Sequence, residues 1–242
     1  MRHAVSNISQ AGRLLPALLL CLFLLTAMSA SADVVVGLPP AAGGGNCFPF
    51  GCVYNAEYQQ VYNHGQFGVA PITITDLEFF NTQTDVGATA MRSGTWTISL
   101  STTAADWNTI SGTYASNIGA DNTTVFSGNL SQPWAFGDTL EIVLTTPFTY
   151  NPLSGNLLLD VVGSGIAASG TNIFFDVNSS NSYFSRVFCY SGIACSDGAV
   201  ATGYGLVTGF STGSSVPEPA TEALFGLGIA VFGLVARRRL SR

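Results

Sequence analysis

The chain has 242 residues, a formal net charge of −6 and only 9% charged residues, and it contains no lysine. Of its eight arginines, only Arg92 and Arg186 lie in the central body, so this body is more acidic than the whole-chain charge suggests. It therefore lacks the basic patch needed to bind nucleic acid or an anionic membrane surface. Low charge with many Thr, Ser, Asn and Gly residues is typical of an extracellular β protein.

The first 32 residues have the three parts of a secretory signal peptide. Arg2 and Arg13 form a basic region, residues 14–27 are apolar, and residues 30–32 give an A-x-A cleavage site. Cleavage there would place the mature N-terminus near Asp33.

Four cysteines remain after this cleavage, because Cys21 lies within the signal peptide. An even number in an exported chain predicts disulfides rather than a zinc site. The favoured pairing is local, Cys47 with Cys52 and Cys189 with Cys195, since both short loops contain turn-forming residues. Long-range pairing between the first and last segments is the alternative.

Residues 33–46 are predicted to be a Gly/Pro linker, and residues 47–212 a single domain of short strands. A break in the alternation at Thr75-Asp76 indicates a β-bulge, residues 150–155 a turn, and residues 101–108 a helical turn. The predicted strands are Glu57–Tyr62, Ile72–Phe80, 95–101, 125–130, 139–144, 157–162, 173–177, 185–190 and 206–210.

Short strands separated by Gly, Pro and Asn turns, with no long helical pattern, predict an all-β domain. The favoured architecture is a single β-sandwich of jelly-roll-like type, in preference to a barrel. The sequence also predicts two flanking segments, the N-terminal signal peptide and a C-terminal transmembrane helix.

Catalytic chemistry has few candidates in this body. His64 is its one histidine and lies in the turn-like sequence N-H-G-Q, so a Ser-His-Asp triad would depend on it. Carboxylate pairs that could support glycoside hydrolysis are Asp76 with Glu78, and Glu141 with Asp160. A solvated strand face explains these acids equally well, so we expect that the protein is not an enzyme.

Binding chemistry has two candidates. Loop oxygens could hold a structural calcium ion, although no loop has an EF-hand pattern. The candidate loop residues are Asp85, Asp121, Asn122, Asp138, Asp176 and Asn178. No other cofactor is expected. Trp134 is the best candidate for an exposed side chain that stacks on sugars, because it lies in the loop Q-P-W-A-F-G. Trp96 is predicted to be a core residue, and the pattern indicates a core position less clearly for Trp107.

The C-terminal segment, residues 213–242, has an extended motif, a short apolar helix and a basic stop. Residues 223–236 are apolar on every face, about 14 residues against the ~20 of a full bilayer span. The motif comprises Val216, Pro217, Glu218, Pro219, Ala220 and Thr221, and the stop Arg237, Arg238 and Arg239. The two prolines keep the motif extended, and adjacent arginines do not cross a bilayer.

This order of features resembles the PEP-CTERM sorting signal of Gram-negative bacteria. The resemblance implies export, transient anchoring in the inner membrane and recognition by exosortase, a membrane protease. It also implies a cell-surface or extracellular-matrix protein with a structural or adhesive role, associated with exopolysaccharide or biofilm. An ordinary C-terminal membrane anchor is the alternative for the tail. A carbohydrate-binding module and a secreted hydrolase are the alternatives for the body.

Overall fold

Alternating apolar and polar side chains form strands throughout the part of the chain that the computed structural model describes. The described residues are 33–38, 45–52, 57–82, 89–167, 172–179, 182–189 and 195–212. They all fall within one compact unit, Ser31–Gly213. The predicted signal peptide and the whole sorting segment, with its motif, helix and arginines, lie outside the described residues.

The strands run in chain order from β1 to β15, with three 3₁₀ turns at His64–Gln66, Tyr114–Asn117 and Pro152–Ser154. Their bounds are β1 Val34–Val36, β2 Gly45–Asn46, β3 Glu57–Tyr62, β4 Ile72–Phe80, β5 Thr89–Ala90, β6 Thr95–Thr103, β7 Thr123–Gly128, β8 Pro133–Trp134, β9 Thr139–Tyr150, β10 Asn156–Ser164, β11 Phe175–Asn178, β12 Phe184–Phe188, β13 Ala199–Ala201, β14 Gly205–Leu206 and β15 Thr208–Thr212. Among the described residues, no helix has the length and apolar character that crossing a bilayer requires.

Two antiparallel sheets carry most of the fold, and two small sheets accompany them. The four-stranded sheet has the order β1-β15-β4-β9, and the six-stranded sheet has the order β13-β12-β3-β10-β6-β7. The ribbon made by β3 and β10 continues into the other sheet as the pair β4 and β9. The all-β prediction is therefore confirmed, and the jelly-roll-like class remains a prediction.

Both large sheets contribute their inner faces to one aromatic-rich core. Phe50 lies at its centre, with ring centroids 5.0 Å from Phe79, 5.3 Å from Trp96 and 5.8 Å from Phe175. Burial of such large rings supplies much of the hydrophobic free energy of a domain this size. Trp96 is 1% exposed, which confirms its prediction as a core residue.

The structure confirms one local feature that the strand pattern predicts and corrects another. The β-bulge predicted at Thr75-Asp76 is present, because the register of β4 shifts between Ile74 and Asp76. The helical turn predicted at 101–108 is wrong over its first half, because β6 continues to Thr103. One hydrogen-bonded turn follows, in which the backbone N–H of Thr109 donates to the carbonyl of Asp106 at 3.0 Å.

Part of the predicted linker, residues 33–46, also belongs to the sheets. Val34–Val36 pairs with β15, and Gly45–Asn46 pairs with β11. Three consecutive β-branched valines fit an edge strand better than a linker, and Val36 is fully buried.

The first and last described residues leave the sandwich at the same end. Val34 lies opposite Phe210, and the backbone N–H of Thr212 donates to Asp33 Oδ1 at 3.2 Å. The segments 63–71 and 151–155 lie at this end too, because Ile72 at the start of β4 pairs with Tyr150 at the end of β9. We call this end of the sandwich the terminal end.

Candidate functional sites

Two short disulfide loops are present, Cys47–Cys52 and Cys189–Cys195, which is the local pairing that the sequence favoured. The first loop inserts into the core, since Phe50 within it is fully buried. The second borders a smaller apolar cluster on the outer face of the six-stranded sheet. Both disulfides therefore fix loops against apolar surface, which is a structural role.

The same outer face carries two carboxylates on neighbouring strands, Glu57 on β3 and Asp160 on β10, which we call the outer acidic pair. In the strand register Asp160 lies opposite Gln59 on one side and Ser99 on the other. Asp160 is 8% exposed. Within the described ranges, neither Asp160 Oδ1 nor Gln59 Nε2 has a hydrogen-bond partner, so a buried acid lies beside an incompletely satisfied amide.

A loop between β6 and β7 is anchored on this face by hydrogen bonds. Tyr114 donates its hydroxyl to the backbone carbonyl of Glu57 at 2.8 Å. Asn117 donates to Gln59 Oε1 at 3.0 Å and accepts from the backbone N–H of Ser111 at 2.9 Å. The side chains beside the outer acidic pair are thus held by a network of hydrogen bonds.

Burial dominates the electrostatics of the pair. It raises the pKa of Asp160 from 3.8 to about 7, the negative charge of Glu57 adds to the rise, and the facing Gln59 amide acts in the opposite direction. Burial also raises the pKa of Glu57. The pKa of Tyr114 is raised by burial first and then by both carboxylates. A raised carboxyl pKa occurs at many active sites, but a partly satisfied buried acid explains it as well.

The carboxylate pairs considered from the sequence are only partly brought together. Asp76 and Glu78 do share the outer face of the four-stranded sheet, and Glu78 lies directly opposite Glu141. Glu141 and Asp160 lie on different sheets, each facing away from the shared core, so the prediction that they could form one pair is wrong. Sequence alternation gives the face of each residue but not the sheet that it joins.

Trp134, the predicted platform for a sugar, is completely buried. Its ring lies 4.7 Å from that of Phe175, and its Nε1 donates to the carbonyl of Phe174 at 3.1 Å. The expectation of an exposed Trp134 is therefore wrong. Phe136, two residues further along, is 58% exposed. Trp107 is half-buried against the outer apolar cluster.

His64 is exposed at the terminal end, in a 3₁₀ turn capped by Asn63. Its backbone N–H donates to Asn156 Oδ1 at 2.9 Å. In the described part of the chain, no serine hydroxyl or carboxylate is hydrogen-bonded to its ring. The arrangement gives no support to a catalytic triad.

The loop acids considered for calcium that the structure describes each accept hydrogen bonds from protein groups. Asp121 accepts from the backbone N–H of Thr102, and Asp138 from that of Ala135, both at 2.7 Å. Asp176 accepts both the backbone N–H and the hydroxyl of Thr82, at 2.9 and 2.6 Å.

The two loop asparagines differ in their contacts. Asn178 clamps the backbone of Leu38, accepting from its N–H at 2.6 Å and donating to its carbonyl at 2.8 Å, and Asn122 is exposed. Asp85 lies outside the described residues. Across the described ranges, no three His, Cys, Asp or Glu side chains are grouped as metal ligands would be.

Both arginines of the body are buried. Arg92 is 4% exposed and donates to the carbonyls of Gly51 and Ala167 at 3.3 and 3.0 Å. Arg186 is 5% exposed, and its guanidinium lies 4.3 Å from the ring centroids of both Phe188 and Tyr204. Every charged side chain exposed in the described part of the chain is therefore acidic, and the exposed acids include Asp33, Asp106, Asp121, Glu141 and Asp197.

Comparison with protein families identifies the segment that follows the sandwich. The family model of the PEP-CTERM protein-sorting motif matches residues 215–239. This chain carries a PEP-CTERM sorting signal. The matched residues include the whole motif Val216–Thr221, the apolar run and the three arginines.

The resemblance recognised in the sequence is thus confirmed, and the chain is an exosortase substrate. The PEP-CTERM signal implies export and membrane-associated sorting toward the cell surface. No curated protein and no solved structure matches the chain. What the body does at its destination has to be argued from its own residues.

Proposed function

We propose that this protein is a surface or extracellular-matrix component of a Gram-negative bacterium, with a structural or adhesive role within exopolysaccharide or biofilm. The match to the PEP-CTERM motif at 215–239 carries the proposal, because it connects the body to a sorting route. In this route a signal peptide, 1–32, directs export, and exosortase acts near Val216–Ala220. The apolar helix and the arginines hold the substrate in the inner membrane until then.

The character of the body supports a structural role rather than catalysis. Its disulfides and buried arginines fix loops, and among the described residues the strand carboxylates are divided between the outer faces of two different sheets. That the protein is not an enzyme and needs no cofactor remains part of this proposal. The carbohydrate-binding alternative loses its main residue, because Trp134 is buried.

Surface charge narrows the kind of polysaccharide partner. The exposed charges of the described residues are all negative, so a polyanionic polymer would be repelled at low ionic strength. Neutral polysaccharide, or acidic polysaccharide with divalent cations present, is compatible with this surface. Nucleic acid is not, for the same reason.

The test is the intact mass of the protein from the envelope and from the medium of the native host. Loss of residues 1–32 and of the segment after about Pro219 is expected, and deletion of exosortase should leave the tail in place. Replacing Pro217, Glu218 and Pro219 by alanine should also block tail removal, whereas Ser214→Ala serves as a matched control. A mature mass that retains the arginines in the native host would show a permanent anchor and overturn the proposal.

A further inference from the structure

The loop between β6 and β7 covers part of the outer face of the six-stranded sheet. We call residues 110–117 of this loop the cover segment. Its Ile110 and Tyr114 belong to the same cluster of buried side chains as Val61 and Leu158 of the sheet. Both sheet residues are fully buried although they lie on an outer face, so the cover segment shields apolar strand surface from water.

The polar contacts of the cover segment fall on the neighbours of Asp160. Tyr114 donates its hydroxyl to the backbone carbonyl of Glu57 at 2.8 Å, and Asn117 donates to Gln59 Oε1 at 3.0 Å. Gln59 lies directly opposite Asp160 in the strand register, and Glu57 supplies the second carboxyl group of the outer acidic pair. Asp160 is 8% exposed, and its Oδ1 has no hydrogen-bond partner among the described residues. The cover segment therefore lies against a buried acid that is only partly satisfied.

Neither arginine of the body faces Asp160. Val187 belongs to the outer apolar cluster, so its neighbour Arg186 on the same strand points to the core side of the sheet. Arg92 donates to the carbonyl of Gly51, in the disulfide loop that inserts into the core. The outer acidic pair therefore has no arginine to balance its charge.

The other charged groups on or beside this part of the outer face, within the described ranges, are acidic. They are Glu57 on β3, Asp106 and Asp121 in the loop, and Asp197, which accepts from the Thr113 hydroxyl of the cover segment. Residues 53–56 and 190–194, which adjoin Glu57 and Cys189 in the sequence, include no charged residue. An ionised Asp160 consequently lies among like charges, and nothing offsets the cost of its burial.

An ionised Asp160 can gain water in two ways. The whole body can unfold, or the cover segment alone can leave the sheet. Release of the segment breaks its contacts with Glu57 and Gln59 and the backbone hydrogen bonds between residues 112–114 and 196–198. The ladders that join β3, β10 and β6 stay intact, so local release costs less free energy than unfolding.

We propose that the cover segment is a pH-dependent lid, which leaves the outer face when Asp160 gives up its proton to solvent and thereby uncovers the outer apolar cluster. Burial raises the pKa of Asp160 from 3.8 to about 7 in the closed form, and Glu57 adds to the rise. The closed form therefore binds the proton more tightly than the open form, in which the carboxyl group is hydrated, and rising pH favours opening. The opening equilibrium constant should rise about tenfold per pH unit between the two pKa values and level off above the higher one. The inference concerns the body alone and does not depend on the sorting route.

The test is amide hydrogen exchange of the full chain in detergent micelles, measured at acidic and alkaline pH and corrected for the intrinsic dependence of exchange on pH. Protection of the cover segment should fall about 80-fold between about pH 5 and pH 8, the ratio that pKa values of about 4 and 7 give. It should be lower than the protection of β10 throughout, and it should respond only weakly to low concentrations of urea, because local release exposes little surface. Asp160→Asn should abolish the pH dependence. Glu141→Gln is the matched control, because it neutralises an exposed carboxyl group on the other sheet, and it should behave as the parent does.

Three results would overturn the inference. Equal protection of the cover segment and β10, with the same response to urea, would show that the segment is released only when the whole body unfolds. A pH dependence that persists in Asp160→Asn would show that another group controls the exchange. Glu57→Gln is a second variant, which should make the rise with pH smaller because one like charge beside Asp160 is gone. An unchanged rise in that variant would contradict the role given to the outer acidic pair.

Discussion

Replacing Asp160 by Asn should stabilise the body at alkaline pH and change its stability little at acidic pH. Burial raises the pKa of this carboxyl from 3.8 to about 7, so the folded state holds the proton more tightly than the unfolded chain. Its contribution to stability is therefore fully present below about pH 4, is lost progressively up to about pH 7, and is absent above that value. Three pKa units correspond to about 4 kcal/mol at 1.36 kcal/mol per unit.

Urea denaturation at pH 4 and pH 8.5 measures this difference directly. At pH 8.5 the free energy of unfolding of Asp160→Asn should exceed that of the parent by up to about 4 kcal/mol. At pH 4 the two values should agree to within about 0.5 kcal/mol. Glu57→Gln should shift the pH midpoint of the parent curve downward, because it removes a neighbouring negative charge. Glu141→Gln is the exposed control and should leave the pH dependence unchanged. An Asp160→Asn gain that is the same at both pH values would refute the reasoning.

The remaining predictions concern side chains that hold loops or fill the core. Joint replacement of Cys47 and Cys52 by serine should lower the free energy of unfolding by at least about 2 kcal/mol, the loop entropy of so short a bridge, measured by denaturation with and without reductant. Trp134→Ala should lower the free energy of unfolding by about 3–5 kcal/mol, and Phe136→Ala should lower it by less than about 0.5 kcal/mol. The reverse order would support a ligand role for Trp134. Arg186→Lys should lower the midpoint of thermal unfolding, because a lysine ammonium cannot stack between the rings of Phe188 and Tyr204 as the planar guanidinium does. An unchanged midpoint would argue that these ring contacts do not stabilise the fold.

The sequence could predict strands where side-chain alternation was local and clear. Thr95–Thr103 and Thr139–Tyr150 alternate strictly over much of their length, and each was recognised, although each extends beyond the predicted bound. The predicted ends of these strands are too early, because the threonines that follow each predicted end have a high β propensity and continue the strand. The valines of β1 carried a strand signal that the neighbouring Gly/Pro stretch obscured.

Long-range pairing could not be predicted, and the errors in the candidate sites follow from this. Pro133 and Gly137 flank Trp134 and indicate a loop, but pairing of β8 with β5 turns the indole into the core. The neighbourhood of Asp160 likewise depends on β3, which lies about a hundred residues earlier and supplies Glu57 and Gln59. The sorting motif was recognisable because all its information is contiguous in the sequence.

The position of β15 has a consequence for the timing of folding during export. This strand is the last of the body to be synthesised, yet it lies inside the four-stranded sheet, between β1 and β4. Neither neighbour can complete its pairing until residues 208–212 have crossed the membrane, just before the tail arrives. Folding of the sheet is thereby postponed to the end of translocation, and a chain truncated before β15 would expose the bare edge of β4 to aggregation.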